Sequence, residues 1–267
     1  PHTVELDGGK QITSKYILIA TGGRPALPDI KGSHLAMSSD EVFHLKELPA
    51  SLLIVGGGYI ACEFAGVFNG LGVDVTQYYR GTQILRGFDN EARGLVSEEM
   101  CQRGINLQLE TQILEMEERK GKIWTKTTDG QEKLFDKVMF ATGRTPNSKN
   151  LNLGELGIET GPNGEIAVDA YSQSSVPSVY AIGDVTNRMN LTPVAIREAM
   201  AFVKTVFEGR PTKADYALVP TAIFTQPEMG TVGLSEEKAG KQEPIEVYAA
   251  SFRPMQTGFA NRLDKVL

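Results

Sequence analysis

The stretch Gly56-Gly57-Gly58-Tyr59-Ile60-Ala61 decides the fold, because it joins an apolar strand, 52–55, to a helical pattern through a glycine turn. In a G-x-G-x-x-A fingerprint, the first glycine (Gly56) makes the tight turn, and the second (Gly58) lets backbone N–H groups approach a pyrophosphate. The third small residue (Ala61) lets the helix and the strand pack closely. This spacing predicts a Rossmann-like dinucleotide-binding unit.

The next strand pattern, 73–79, indicates which dinucleotide the unit binds. An acidic residue that binds the ribose 2′-OH of NAD stands roughly 20 positions after the first glycine of this fingerprint, and we assign that position to Gln77. Arg80 and Arg86 follow it. A missing carboxylate and two guanidinium groups suit a 2′-phosphate, so the pattern predicts NADPH. The alternative is that both arginines are solvated side chains of a surface loop.

The composition is that of a globular protein with room for more than one domain: 267 residues, 41% hydrophobic and 22% charged. A net charge of −6 without a basic run argues against nucleic acid and anionic lipid as partners. We expect no membrane span and no metal site. The chain begins in a predicted hairpin without an initiating Met and stops inside a strand pattern, so we expect it to be an internal portion of a longer protein.

The two cysteines, Cys62 and Cys101, each fall in a helical pattern. We interpret both as buried, small apolar side chains. Since no C-x-x-C or C-x-x-x-x-C pair occurs, the chain contains no motif for a redox-active disulfide.

The phrase Ala-Thr-Gly occurs twice, at 20–22 and at 141–143, each time after an apolar strand and before Arg and Pro. The repetition indicates two equivalent points in a chain built from two nucleotide-binding units. Residues 49–146 therefore form one complete inserted α/β domain in this interpretation.

Further elements follow from local patterns. A helix is predicted at 90–103 with Asp89 as N-cap, and another at 194–207 with Thr192 as N-cap. Strands are predicted, among others, at 166–169, 216–224 and 229–234.

Several motifs occur along the chain in a characteristic order and together resemble the flavoprotein disulfide reductases. They are Ala-Thr-Gly-Gly-Arg-Pro at 20–25, Gly-Gly-Gly-Tyr-Ile-Ala at 56–61, Ala-Thr-Gly-Arg-Thr-Pro-Asn at 141–147, Ala-Ile-Gly-Asp-Val at 181–185, Leu-Thr-Pro-Val-Ala at 191–195 and Gly-Thr-Val-Gly-Leu at 230–234. The segments 85–89 and 252–255 are most similar to the glutathione reductase group of this family. Trypanothione reductases share much of the series.

The resemblance implies an α/β fold in which a Rossmann-like NADPH domain (49–146) is inserted in a partial FAD-binding domain (1–48 and 147–211). The start of an α+β dimerisation domain (212–267) follows. The implied cofactors are NADPH and FAD, and the implied reaction passes electrons from NADPH through FAD and an enzyme disulfide to glutathione disulfide. A homodimer is implied for the full-length protein. We expect a cytoplasmic location, or the chloroplast stroma for a plant protein.

Two residues on the first Rossmann helix match positions close to the reaction centre in this family. Tyr59 matches the aromatic residue that covers the flavin where nicotinamide docks, and Glu63, one helical turn later, matches a carboxylate near the flavin. The alternatives are a packing tyrosine at a helix start and a glutamate stabilised by the helix dipole.

Other positions match cofactor contacts. Gly183 and Asp184 match the motif whose aspartate binds the ribityl chain of the flavin, and Thr192 starts the helix whose N-terminus points at the flavin pyrimidine. Gly143 and Arg144 match residues that line the nucleotide-side cleft.

The chain also departs from the family pattern. The first flavin-binding G-x-G-x-x-G, the redox C-x-x-x-x-C pair and the acid–base His-Pro motif are absent, so we expect no turnover of glutathione disulfide by this chain alone and weak dimerisation. Met200 stands where some members carry an arginine that contacts glutathione.

Other functions stay open at this point. One is the chemistry of a trypanothione or mercuric reductase, and another is a non-catalytic nucleotide-binding or redox-sensing module. NAD-linked dihydrolipoamide chemistry is disfavoured by Gln77, Arg80 and Arg86.

Overall fold

A computed structural model describes residues 2–260 and 264–267. The chain forms two compact units: one comprises Pro1–Arg24 and Arg144–Ala217, and the other comprises Pro25–Gly143 and Leu218–Leu267. These units are defined by packing alone, and the borders of the functional domains inferred from sequence stay a prediction.

The strands are β1 (Thr3–Glu5), β2 (Gln11–Thr13), β3 (Ile17–Ile19), β4 (Gly23–Pro25), β5 (Ser51–Val55), β6 (Asp74–Tyr78), β7 (Asn106–Gln108), β8 (Ile113–Arg119), β9 (Lys122–Thr127), β10 (Glu132–Phe135), β11 (Lys137–Phe140), β12 (Arg144–Pro146), β13 (Val179–Ala181), β14 (Thr221–Ile223) and β15 (Met229–Thr231). The α-helices are α1 (Tyr59–Gly70), α2 (Asn90–Gln102), α3 (Thr192–Val206), α4 (Glu236–Ala239) and α5 (Met255–Phe259). Among the described residues, no helix is long and apolar enough to cross a bilayer.

The larger unit is built on a parallel sheet with strand order β11-β5-β6-β7. Strand β5 is central, and Leu52, Leu53 and Ile54 are fully buried. Such a continuous apolar run is typical of a parallel strand that is covered on both faces.

Different layers cover the two faces of this sheet. On one face, Leu52 and Ile54 pack in a core with Phe68 of α1 and Met100 of α2. On the other face, Leu53 packs in a second core that includes residues of the antiparallel sheet β10-β9-β8. The predicted Rossmann-like βαβ unit is thereby confirmed.

The smaller unit contains a short parallel pair, β3 with β13, in which Ile17 lies opposite Val179. Its core includes Ile158, Ile166 and Val185. Helix α3 belongs to this unit. The two Ala-Thr-Gly phrases therefore follow parallel strands in two separate units, β3 in one and β11 in the other.

Three element predictions are wrong in detail. Residues 166–169 form no strand, because Ile166 makes only an isolated bridge, to Thr160. The strand predicted at 216–224 is confined to β14, and Leu218 before it has a positive φ of 49° that interrupts an extended backbone. The strand predicted at 229–234 is confined to β15, two residues before Gly233 with its φ of 84°.

The helix caps also test the local predictions. Asp89 is confirmed as the N-cap of α2, since its Oδ1 accepts a hydrogen bond from the Glu91 N–H. Thr192 is instead the first helical residue of α3, and Leu191 occupies the N-cap position. The amides of Val194 and Ala195 both donate to the Leu191 carbonyl, so the N-cap lies one residue earlier than the sequence pattern predicts.

The two cysteines differ in exposure, although the sequence pattern predicts that both are buried. Cys62 is buried, whereas Cys101, in the last turn of α2, is exposed. Burial raises the pKa of the Cys62 thiol to about 12.

We expect only the exposed Cys101 thiol to react with Ellman's reagent at pH 8. The Cys62 thiol should not react, because a thiol of such high pKa forms almost no thiolate. The reaction of the native protein should release one equivalent rapidly, and Cys101→Ser should abolish that rapid phase. Cys62 should react only after denaturation. A rapid phase that survives in Cys101→Ser would contradict this assignment.

Candidate functional site

The glycine turn between β5 and α1 is as tight as the fingerprint predicts. Gly56 has a φ of 146°, and a Cβ at this position would lie 2.3 Å from the Ala141 carbonyl oxygen and 3.2 Å from the Ala61 Cβ. Ala61 is fully buried. Both residues are therefore small because β11 and α1 approach each other closely at the turn.

Gly58 is different, because the space around it is open. It is the N-cap of α1 with a φ of −82°, and a Cβ there would meet nothing within 4 Å. The packing of the protein therefore does not require a glycine at this position. The open space lies at the N-terminus of a helix, where free backbone N–H groups bind anions such as a pyrophosphate, so the turn fits a dinucleotide.

Gln77 does not lie where the sequence spacing placed it. It is fully buried within β6, and its Nε2 donates to the Gly56 carbonyl at 2.9 Å. It therefore supports the turn from beneath and does not reach a ribose. The spacing rule failed because the strand continues beyond Gln77, to Tyr78.

The residue that faces the glycine turn at the end of β6 is Tyr79. A Cβ at Gly57 would lie 2.5 Å from its ring, and one at Gly81 would lie 2.6 Å from it. Tyr79 is not acidic, so the strand end carries no carboxylate for a ribose 2′-OH, whether Gln77 or Tyr79 occupies the position that the fingerprint reserves for an acid.

The G-x-G-x-x-A fingerprint assigns no role to Gly57, although the structure shows that a side chain there would collide with Tyr79. The run of three consecutive glycines was the sequence signal for this requirement.

Arg80 and Arg86 lie in the loop that connects β6 to α2, and both are exposed. Within the described part of the chain, neither guanidinium forms an ion pair. Leu85, next to Arg86, is buried with a positive φ of 56°, and its N–H donates to the Gly57 carbonyl at 2.6 Å. The loop with both arginines is thus bonded directly to the glycine turn.

Tyr59 and Glu63 lie one turn apart on α1, as predicted. Tyr59 is the first residue of the helix, and more than a third of it is exposed. The Glu63 carboxylate accepts a hydrogen bond from the Phe224 N–H at 2.9 Å. Their roles toward a flavin stay a prediction.

The Gly183-Asp184 motif lies in the smaller unit, directly after β13. Gly183 has a φ of 71°, and a Cβ there would lie 3.3 Å from the Ala195 Cβ at the start of α3. The predicted flavin contacts at Asp184 and at the N-terminus of α3 are therefore neighbours, although Leu191 and not Thr192 occupies the N-cap position. An aspartate beside a helix N-terminus fits a polyhydroxylated cofactor with an electron-poor ring.

Arg144 belongs to the same unit as Asp184. Its guanidinium donates to the Gly23 carbonyl, and its Nε lies 4.0 Å from the Asp184 Oδ2. Gly143 belongs to the larger unit, where its carbonyl accepts the Ala26 N–H at 3.0 Å. Sequence reasoning grouped Gly143 and Arg144 in one cleft lining, and their place there stays a prediction.

Glu198 of α3 is a residue that sequence reasoning missed. It is 1% exposed, and its carboxylate accepts hydrogen bonds from the Gly183 N–H and the Tyr216 hydroxyl, both at 2.6 Å. Arg188 completes the group, with its Nη2 3.0 Å from the carboxylate. Burial, followed by the hydrogen bond to Glu198, raises the pKa of Tyr216, so the phenol stays a donor. The carboxylate thereby holds the turn that carries Asp184.

A parallel βαβ unit with this glycine turn, beside two arginines that form no ion pair with the described residues, defines the chain as a dinucleotide-binding protein of the Rossmann type. Comparison with known proteins narrows the class. The family described as pyridine nucleotide-disulphide oxidoreductase matches residues 1–199, and the dimerisation domain of the same family matches residues 219–266. The chain belongs to the pyridine nucleotide-disulphide oxidoreductase family, whose glutathione reductase members use FAD and NADPH.

Individual relatives agree with this assignment. The chain is 46% identical to a glutathione reductase of Burkholderia cepacia over its whole length, and spans 60% of that protein. It is 44% identical to a trypanothione reductase of Leishmania donovani over 96% of the chain, and spans 52% of that protein. The chain thus spans between half and two thirds of the length of these relatives.

A solved structure of similar fold is the HOCl-induced flavoprotein disulfide reductase RclA of Escherichia coli. The TM-score is 0.90 at 24% identity, and the match covers 98% of this chain and 62% of that one. At this identity the likeness concerns the fold alone.

Proposed function

We propose that this chain forms the NADPH-binding part, and half of the FAD site, of a disulfide reductase that acts on glutathione disulfide. NADPH would bind with its pyrophosphate at Gly56 and Gly58 and its 2′-phosphate between Arg80 and Arg86. FAD, when bound, accepts electrons from NADPH and passes them to a disulfide. Asp184 and the N-terminus of α3 would hold its ribityl chain and ring. A homodimer through the segment 212–267 is part of the same proposal.

The observation that carries the nucleotide preference is the loop after β6. It presents two guanidinium groups that pair with no carboxylate in the part of the chain that the structure describes, and it is bonded to the glycine turn through Leu85. The strand-end residue Tyr79 is not acidic. A 2′-phosphate bound there would meet two charge-assisted donors and no repelling carboxylate.

Arg80→Ala and Arg86→Ala should each weaken NADPH binding by about 1.5–3 kcal/mol, the scale of a hydrogen bond to a charged group. NADH binding should change little, because it lacks the phosphate. Calorimetric titration of the chain with each nucleotide measures both values. Equal affinity of the unsubstituted chain for NADPH and NADH would overturn the proposed preference.

The choice of glutathione disulfide as the substrate is supported by the similarity to the relatives and not by a contact within this chain. Met200, on α3, is exposed and has no charge with which to bind a glutathione carboxylate. The similar identity to a trypanothione reductase makes trypanothione disulfide the second candidate. Rates of NADPH oxidation with each disulfide, measured on the FAD-loaded protein that contains the redox cysteines, distinguish the two candidates.

Neither cysteine of this chain fits the redox pair. Cys62 is buried with a raised pKa, and Cys101 lies on a different helix. The 267-residue chain by itself should therefore not reduce glutathione disulfide.

A further inference from the structure

The loop that carries Arg80 and Arg86 is held by a third arginine from outside it. Arg93, in the first turns of α2, donates from Nε to the Ile84 carbonyl at 2.7 Å and from Nη2 to the Gln83 carbonyl at 2.9 Å. Its Nη1 donates to the Asn90 Oδ1 at 2.6 Å. The planar guanidinium thus bonds two successive loop carbonyls and the start of its own helix at once.

These bonds act on the segment between the two exposed arginines. Ile84 and Leu85 are buried, and the Leu85 N–H is bonded to the glycine turn. Leu85 also keeps a left-handed backbone, which is unfavourable for a non-glycine residue unless its surroundings hold it. The Arg93 bonds to the preceding carbonyls restrict that backbone from one side, and the Gly57 carbonyl restricts it from the other.

We propose that Arg93 is a positioning residue for nucleotide selectivity: it sets the spacing of Arg80 and Arg86 so that both reach the 2′-phosphate. This inference rests on the proposed binding of NADPH at the same loop. Each of the three Arg93 nitrogens donates to a protein oxygen, two of them to loop carbonyls, so Arg93 acts through the loop backbone. The fork geometry is essential to that role, since one ammonium group cannot reproduce three directed donors on a rigid plane.

The test compares Arg93→Lys, which keeps the charge, with Arg93→Met, which removes it, by calorimetric titration with NADPH and NADH. Both variants should bind NADPH about ten-fold more weakly, the low end for loss of one charge-assisted contact. Their affinity for NADH should stay within about two-fold of the unsubstituted chain. Arg210→Met, at an exposed arginine of the smaller unit, is the matched control and should change neither affinity.

The possible outcomes separate the explanations. Normal NADPH binding in Arg93→Lys would show that charge suffices and would overturn the positioning role. Equal weakening of both nucleotides would show a merely structural role and would overturn it too. So would failure of both variants to give the thermal unfolding transition seen by the fluorescence of Trp124, the single tryptophan of the sequence, in β9. If the unsubstituted chain does not prefer NADPH to NADH, the proposed function itself fails, and the titration of the unsubstituted chain reveals this separately.

Discussion

Replacement of Glu198 by alanine should destabilise the smaller unit by about 3 kcal/mol, the low end of the cost of removing one partner of a buried ion pair, because the Arg188 side chain is 22% exposed. The substitution leaves the Arg188 guanidinium without its carboxylate and the Gly183 N–H and Tyr216 hydroxyl without an acceptor. Unpaired buried donors are costly because no water replaces the lost bond. Urea unfolding followed by far-UV circular dichroism measures the loss.

The location of the effect is part of this prediction. Hydrogen exchange in 179–190 should become faster, because the Gly183 amide loses its acceptor. Trp124 fluorescence, which reports on the larger unit, should keep its unfolding midpoint. Glu155→Ala, at an exposed glutamate of the smaller unit, is the control and should cost less than about 0.5 kcal/mol. A loss below about 1 kcal/mol in Glu198→Ala would contradict the role assigned to the carboxylate.

Tyr216→Phe isolates one bond of the same group. It removes the hydroxyl but leaves the ion pair and the Gly183 bond intact, so we expect a smaller loss, about 1.5 kcal/mol, for one hydrogen bond to a charged group. Glu198→Gln should fall between the two, since an amide oxygen can still accept from Gly183.

The second large effect is a contrast between the two fingerprint glycines. Gly56→Ala should destabilise the larger unit by about 3 kcal/mol or more, because the new Cβ would lie 2.3 Å from the Ala141 oxygen at a strained φ. Gly58→Ala should leave stability nearly unchanged, because its Cβ meets no protein atom within 4 Å. It should nevertheless weaken the binding of both NADPH and NADH, because the methyl group would occupy the space proposed for the pyrophosphate.

Trp124 unfolding curves and nucleotide titrations together measure this contrast. The two alanine variants are each other's control, since they add the same methyl group two residues apart. Unchanged nucleotide binding in a stable Gly58→Ala protein would show that the pyrophosphate lies elsewhere. A Gly56→Ala protein of normal stability would contradict the tight contact with β11.

Local patterns were sufficient for several features that depend on residues close together in the chain, although they misplaced the N-cap of α3. The turn from β5 to α1 needs Gly56 for its backbone and Ala61 for close packing, and both requirements follow from spacing alone. The Asp89 cap is a bond between neighbours. Arg80 and Arg86 were predicted in the same way, because two arginines after a strand without an acid form a pattern within one loop, and their contact with a 2′-phosphate stays a prediction.

Patterns failed where the direction of a side chain depends on the length of a strand or on distant partners. Gln77 was placed at a ribose by counting, but β6 continues to Tyr78 and leaves Gln77 beneath the turn. Glu198 looked like any glutamate on a helix, because its partners Gly183 and Tyr216 lie 15 and 18 residues away.

The sequence by itself determined the class of the fold, the glycine turn and the charge of the loop beside it, since each follows from short-range sterics or from residue type. Only the tertiary structure showed which buried or partly buried side chains hold these features in place. Gln77 bonds the glycine turn, Arg93 bonds the loop carbonyls, and Glu198 bonds the Gly183 amide. The physical reason is that a buried polar side chain is stable only when its partners are near, and those partners come from other elements that meet only in the folded chain.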